Sequence, residues 1–195
     1  AIRRLDLAVQ HGTGASLGLY TVGLPGAHDL EASKKAAEAL GLGKRHVAFE
    51  LCQEEVLEAA NRIRSLVPGT TLLEVSFLAP SFIVYKRARE RMILTGDGAD
   101  ELFGGYHRYL SMDLEKLATS LDRDAEELVS KGFSRNRMLA KDAGKELGAP
   151  YLDPRVVELA RSIPPHMKVH DGERKAVLRR AAASLGLPPE LCALP

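Results

Sequence analysis

Three carboxylates occur close together in the chain, at Asp97, Asp100 and Glu101. They follow the apolar residues 92–94, which predict the end of a buried strand, and residues 95–98, whose glycines permit a tight turn beside a ligand. Because ligands bind at the carboxyl ends of parallel strands, these side chains could hold a hard cation such as Mg²⁺ together with phosphates. The alternative is an acidic turn that favours the start of a helix. The residue types alone leave both interpretations open.

The elements that would position these carboxylates alternate between strand and helix. We predict strands at residues 17–22, 45–49 and 92–94, and helices at residues 30–40, 53–67 and 76–90. Asp29 is the expected N-cap of the first helix, and Pro80 is expected in the first turn of the third. This order predicts an α/β fold in which a parallel twisted sheet is flanked by helices.

The chain after Tyr106 has helical periodicity and no further convincing strand. Helices are predicted at residues 114–129, from Pro154 onward with Asp153 as N-cap, and at residues 175–185. Residues 133–137 have the composition of a basic, polar connection. We therefore expect an α/β domain over residues 1–110 and a helical C-terminal portion over residues 111–195 that packs on the same site.

The composition indicates a soluble globular protein. The 195 residues are 45% hydrophobic, enough for a substantial core, and the net charge of +1 argues against a generic nucleic-acid footprint. No signal peptide or long apolar span is evident, so no membrane partner is expected. Cys52 and Cys192 lack metal-site spacing and suggest no disulfide framework, which favours a cytoplasmic location. Ala1 and Pro195 suggest that both ends are trimmed.

Four segments, in order, resemble the synthetase domain of the glutamine-dependent asparagine synthetase family, within the PP-loop ATPases. Residues 20–30 are similar to its second-strand segment, and residues 94–106 to its acidic signature. Glu146 with residues 150–153 resembles its Glu-x-Arg-x-Pro-Phe/Tyr-Leu-Asp motif, and residues 172–179 resemble its Lys-x-x-Leu-Arg helix. The resemblance implies a PP-loop ATPase fold with an adenine-nucleotide site in the first domain.

The resemblance also implies roles for individual residues. Val22, Thr95 and Gly96 would line the nucleotide site, and Asp100 would help to hold Mg²⁺. ATP and Mg²⁺ are therefore the expected cofactors.

Two further residues would be catalytic. Asp97 occupies the place of a family Glu that is important for forming the adenylated intermediate, and Lys175 would face the departing pyrophosphate. Glu101 and Glu146 would support the site. Gly148 departs from the expected Arg, so any carboxylate contact made by that Arg is missing.

The implied reaction is ATP-dependent adenylation of the side-chain carboxylate of aspartate, followed by amide formation with ammonia. The family's glutaminase has no counterpart here, so ammonia is expected from solution or a separate partner; a homo-oligomer is possible. The family's Ser-Gly-Gly-x-Asp-Ser pyrophosphate loop is also missing, and the His11-Gly-Thr-Gly14 segment does not replace it. We expect an omitted loop near residues 6–11. The alternatives are a degenerate nucleotide- or partner-binding homologue and an adenylating ligase for another carboxylate.

Overall fold

The computed structural model describes residues 17–128 and 132–193. Within these ranges the chain forms four strands and ten α-helices. In chain order they are β1 (Leu19–Gly23), α1 (His28–Ala39), β2 (His46–Glu50), α2 (Gln53–Leu66), α3 (Leu72–Arg87), β3 (Met92–Leu94), α4 (Ala99–Phe103), α5 (Leu114–Glu127), α6 (Phe133–Asp142), β4 (Glu146–Gly148), α7 (Pro154–Ser162), α8 (Pro165–Lys168), α9 (Ala176–Ser184) and α10 (Pro189–Cys192). The fold is a helix-rich α/β arrangement.

The described strands form two small parallel sheets. Strand β1 pairs with β2, with Leu19 opposite His46, and β3 pairs with β4, with Met92 opposite Glu146. Within the described ranges these are separate two-stranded sheets, so the single sheet expected from the sequence is present only in part. Helix α1 connects β1 to β2 and packs on β1, as the strand–helix–strand order predicts.

The start of helix α1 differs from the sequence prediction. Ala27 is its N-cap, and no side-chain hydrogen bond caps the helix. Asp29 is therefore not the cap; it lies in the first turn, where its negative charge favours the positive end of the helix dipole.

The start of helix α3 also corrects the sequence prediction. Its N-cap is Thr71, whose side chain accepts a hydrogen bond from the backbone N–H of Glu74, while the Glu74 carboxylate accepts one from the Thr71 N–H. This capping box starts the helix at Leu72, and Pro80 lies inside the helix instead of in its first turn. The helix continues past Pro80 because apolar residues before and after the proline are buried in the core.

Helices α2, α3 and α6 enclose the largest core cluster. Ile63 of α2, Phe82 and Tyr85 of α3, and Leu139 of α6 are almost fully buried. Residues 133–137 therefore belong to helix α6 and are not the polar connection expected from their composition. The difference arises because Leu139 and Ala140, which come after this polar segment in the same helix, are buried and anchor the helix in the core.

Strand β4 was not predicted from the sequence. It is three residues long, contributes few apolar residues, and depends on pairing with β3. Gly148 is suited to this position, because a Cβ there would lie 2.8 Å from Cδ2 of Leu94. The expectation that β3 is buried is also wrong in part: only Ile93 packs against the core, and Met92 and Leu94 are exposed because alternate strand residues face opposite sides.

The C-terminal helices pack around a second cluster beneath α4. It joins Leu102 and Phe103 of α4 to Ala125 of α5 and Ala160 of α7. Asp153 caps α7, as predicted, by accepting the backbone N–H of Arg155. Since β4 lies in the C-terminal portion and pairs with β3, the two portions of the chain meet beside residues 95–101.

Among the described helices, none combines the length and the apolar character needed to cross a membrane.

Candidate active site

A cleft of about 590 Å³ opens at the carboxyl end of β3. Its lining comes from separate parts of the chain: Ser81 and Tyr85 of α3, residues 95–101, and Tyr106, Tyr151 and Lys175. The turn after β3 therefore forms one wall, and side chains from both portions of the chain close around it.

The turn at residues 95–98 is built for close backbone approach. The Thr95 N–H donates to the carbonyl of Gly148 at 2.9 Å, so the pairing of the two strands extends to the start of the turn. Gly98 has a φ of 97°, which favours glycine, and a Cβ there would lie 2.7 Å from Cδ2 of Leu152. A Cβ at Gly96 would meet nothing within 4 Å in the described chain. Space therefore lies directly against the backbone of Gly96.

Asp100 and Lys175 form an ion pair at the cleft. Lys175 Nζ lies 2.8 Å from Asp100 Oδ1, and the side chains are 32% and 41% exposed. The Lys175 backbone is left-handed, with a φ of 54°, and its N–H donates to the carbonyl of Gly104. Such a conformation is unfavourable for a residue with a Cβ and occurs where the surrounding structure enforces it. The side-chain ammonium of Lys175, the residue just before α9, therefore points at the acidic turn.

Gly105 makes room for this ion pair. A Cβ at Gly105 would lie 1.7 Å from Asp100 Oδ1 and 2.3 Å from Cε of Lys175. The Gly105 carbonyl accepts a hydrogen bond from Nη1 of Arg174 at 2.8 Å, which ties the residue before Lys175 to the same segment. The backbone after α4 and the start of α9 are therefore fitted to each other.

The Asp97 carboxylate is held from two sides. Thr95 Oγ1 donates to Oδ2 at 2.8 Å, and Asn136 Nδ2 lies 3.3 Å from Oδ1 and 3.2 Å from Oδ2. Burial, together with the negative charge of Asp97, raises the pKa of Tyr85 above its ordinary value. The Tyr85 phenol beside the carboxylate therefore keeps its proton to a higher pH than an ordinary tyrosine.

Glu101 has a different partner, the phenol of Tyr106, which donates to Oε1. Burial, this hydrogen bond and the negative charges of Glu101 and Asp100 raise the pKa of Tyr106, which keeps its proton on the phenol. Each of the three carboxylates thus has its own partner: Lys175 for Asp100, Thr95 with Asn136 for Asp97, and Tyr106 for Glu101.

The structure brings together six of the residues singled out from the sequence. They are Thr95, Gly96, Asp97, Asp100, Glu101 and Lys175. Two others do not line the cleft: Val22 packs against the α2–α3 core, and Glu146 pairs with Arg91 at the surface. The His11-Gly-Thr-Gly14 segment and residues 6–11 lie outside the described residues.

Asp100 has the chemistry of a magnesium ligand. Its Oδ2 makes no hydrogen bond within residues 17–128 and 132–193, and the side chain is accessible. No group of three Asp, Glu, His or Cys side chains in these ranges could by itself enclose a metal ion. Mg²⁺ is usually held by one or two carboxylates together with phosphates and water, so a single accessible carboxylate that lines the cleft fits it.

Sequence reasoning did not single out Ser81 and Tyr85, which line the cleft one turn apart on α3. It also missed Asn136, which contacts Asp97 without lining the cleft and lies on a helix that was not predicted. The spacing of Asn136, Leu139 and Ala140 was the available signal, because it places all three on one helical face.

Comparison with known proteins identifies relatives over most of the chain. A model of the asparagine synthase family matches residues 7–147 and 115–194. A putative asparagine synthetase [glutamine-hydrolyzing] 1 of Methanocaldococcus jannaschii is 31% identical over 160 residues, covering 78% of this chain and 29% of the relative. An asparagine synthetase [glutamine-hydrolyzing] of Brassica oleracea is 28% identical over 176 residues, covering 86% of this chain and 30% of the relative.

A nodule asparagine synthetase [glutamine-hydrolyzing] of Pisum sativum is 29% identical over 179 residues, with 86% of this chain and 30% of the relative covered. The chain therefore spans about 30% of the length of these curated relatives.

Proposed function

Because the chain belongs to the asparagine synthase family, we propose that it carries the adenylating site of an ATP-dependent carbon–nitrogen ligase. The substrate would be the side-chain carboxylate of aspartate and the product its amide. The observation that carries the proposal is the Asp100–Lys175 ion pair at the mouth of the cleft, formed by the two segments that resemble the family's motifs. A PP-loop ATPase fold, with strands and helices converging on this turn, is part of the proposal.

The nucleotide would bind against the turn after β3. Thr95 offers a hydroxyl, and the open space at Gly96 lets a ligand approach the backbone. Val22 and Glu146 do not line this cleft, so neither residue is proposed to contact the substrate directly.

The first step would form a bond between a carboxylate oxygen of aspartate and the α-phosphorus of ATP, while the bond from that phosphorus to the bridging oxygen breaks and pyrophosphate leaves. Two anions must approach each other, so their charge has to be offset. Mg²⁺, held in part by Asp100, would supply charge neutralisation on the phosphates. Lys175 would hold its ammonium near the departing pyrophosphate, and Asp97 would help to form the adenylate.

In the second step, the nitrogen of ammonia would attack the acyl carbon, AMP would leave, and the nitrogen would lose a proton to give a neutral amide. The relatives are named as glutamine-hydrolyzing enzymes, and this chain matches only part of each. The ammonia would come from solution or from a glutaminase, whether that glutaminase is a domain of the same protein or a separate one.

One sequence feature favours a second candidate, a degenerate homologue that binds nucleotide or a protein partner without catalysis. The Ser-Gly-Gly-x-Asp-Ser segment of the resembled family is not found among the 195 residues. An adenylating ligase for a different carboxylate would share the cleft features and differ in the acceptor.

A substrate panel separates these candidates. The purified protein is incubated with ATP, Mg²⁺, ammonium and either aspartate, glutamate or no carboxylate, and AMP and amide are quantified by chromatography. The proposal predicts equal amounts of AMP and asparagine, formed only with aspartate. Turnover with another carboxylate would reassign the acceptor, and nucleotide binding without AMP formation would favour the degenerate homologue.

A further inference from the structure

Asn136 of α6 contacts Asp97 without lining the cleft itself. Its Nδ2 atom lies 3.3 Å from Oδ1 and 3.2 Å from Oδ2 of Asp97, so one amide group spans both carboxylate oxygens. Thr95 Oγ1 donates to Oδ2 from the other side at 2.8 Å. The carboxylate that faces the cleft is therefore held by donors from the turn and from a helix distant in sequence.

The oxygen atom of the Asn136 amide indicates which contact determines the orientation of this side chain. Among the described residues, Oδ1 of Asn136 is buried and has no hydrogen-bond partner. Rotating the amide would turn this oxygen toward the carboxylate and leave two acceptors facing each other. The orientation is therefore fixed by Asp97, and it leaves the buried amide oxygen without a hydrogen-bond donor in the part of the chain that the structure describes. An unsatisfied buried group of this kind needs a specific explanation.

Helix α6 is held firmly enough to position this amide. Leu139 and Ala140, on the same face as Asn136, are completely buried in the main core. Arg135 pairs with Glu74 at the start of α3, and Asp142 at the other end of α6 pairs with Arg62 of α2. A side chain on a packed helix is placed more accurately than one on a loop.

We propose that Asn136 is a positioning residue for Asp97, and that its reach is matched to the length of an aspartate side chain. This inference rests on the function proposed above, since it concerns how the catalytic carboxylate is oriented. A carboxylate extended by one methylene would move past the amide, so both oxygens could no longer face Nδ2. The position of the Asn136 amide is therefore matched to an aspartate at residue 97.

A double-mutant cycle tests the matched reach. The wild type, Asn136→Ala, Asp97→Glu and the combined variant are compared in aspartate-dependent ATP–pyrophosphate exchange, measuring kcat and the KM for ATP. We expect Asn136→Ala to lower kcat up to about 100-fold, the cost of a small misplacement, with the KM for ATP little changed. In the Asp97→Glu background the same substitution should change kcat much less. The matched control is Asn61→Ala, which alters an exposed asparagine of α2 and should leave both constants unchanged.

The contact itself is tested without activity by urea unfolding of Asn136→Ala, Asp97→Ala and the combined variant. The two substitutions should be non-additive, because they remove the same hydrogen bonds. Strict additivity overturns the contact. An unchanged kcat in Asn136→Ala, or equal losses in both backgrounds, overturns the positioning role while leaving the proposed function intact. Absence of exchange in the wild type overturns the proposed function and, with it, the positioning role given to Asn136.

Discussion

The Lys175 ammonium nitrogen lies 2.8 Å from Asp100 Oδ1, and the space for this contact exists because residue 105 has no side chain. The two partners come from different elements, α4 and the residue that precedes α9. Their contact joins the acidic turn to the C-terminal helices and places one positive and one negative group at the same edge of the cleft.

Gly105→Ala should break this contact. The new Cβ would overlap Asp100 Oδ1 and Cε of Lys175, so both side chains must move. We expect a loss of exchange activity of up to about 100-fold, as small displacements of reacting groups cost this much. The assay is ATP–pyrophosphate exchange, accompanied by circular dichroism to confirm folding.

The control for Gly105→Ala is Gly43→Ala. The nearest atom to a Cβ at Gly43 would be Cγ of Glu38, at 3.2 Å, and Glu38 has a flexible side chain that does not line the cleft. Full activity in Gly105→Ala, with the protein folded, would show that the Asp100–Lys175 geometry does not matter to the reaction.

Lys175→Met should remove the ammonium while keeping most of the apolar stem. If the charge stabilises the departing pyrophosphate, exchange should fall by about 10²–10³-fold, as when one charge-stabilising group is removed from other active sites. Thermal unfolding should change little, because the Lys175 side chain is partly exposed. Lys34→Met, an exposed position of α1, is the matched control. Exchange at the wild-type rate would exclude Lys175 from the mechanism.

Asp124→Asn should destabilise the C-terminal portion. The buried Asp124 carboxylate accepts from the phenol of Tyr109 and from Arg108. Burial acts to raise its pKa, but these hydrogen bonds outweigh it and hold the pKa below the ordinary value of 3.8. We expect a loss of about 2 kcal/mol in the free energy of unfolding at neutral pH, typical of hydrogen bonds to a charged group.

The pH dependence of this loss follows from the direction of the pKa change. A carboxyl group whose pKa is lowered by folding contributes stability above its ordinary pKa and loses it as the pH falls through the lowered value. The difference between wild type and Asp124→Asn in urea unfolding should therefore shrink below pH 3.8. Glu126→Gln, at an exposed position on the same helix, is the control. A difference that grows on acidification would contradict the assignment.

Thr71→Ala should weaken the start of α3. The substitution removes the hydroxyl that accepts a hydrogen bond from the Glu74 N–H, and the loss of an N-cap costs about 1 kcal/mol in the free energy of unfolding.

The stability that the Glu74 carboxylate contributes should depend on pH. Hydrogen bonds from the Thr71 backbone, Arg135 and the Thr71 hydroxyl lower the Glu74 pKa to about 2, so this contribution should disappear as the pH falls from 4.5 through 2. Urea unfolding measures both effects. Thr119→Ala, within α5, should not destabilise, and equal losses in the two variants would contradict the capping role.

The sequence predicted the turn at residues 95–101 because its features are local: an apolar strand, two glycines and acidic residues at a helix start. Lys175 was also identified, through a motif resemblance. Strand β4 could not be identified in the same way, because its three residues become a strand only by pairing with β3. The Asn136 contact was missed for a related reason: it depends on how α6 packs against α3, and no pattern within residues 133–137 contains that information.

The central claim is that Asp100 belongs to an adenylating site, and aspartate-dependent ATP–pyrophosphate exchange by Asp100→Ala tests it most directly. The matched control is Asp29→Ala, which alters an exposed first-turn aspartate of α1. We predict exchange in the wild type and the control, and none in Asp100→Ala at any Mg²⁺ concentration. Exchange retained in folded Asp100→Ala would contradict the account.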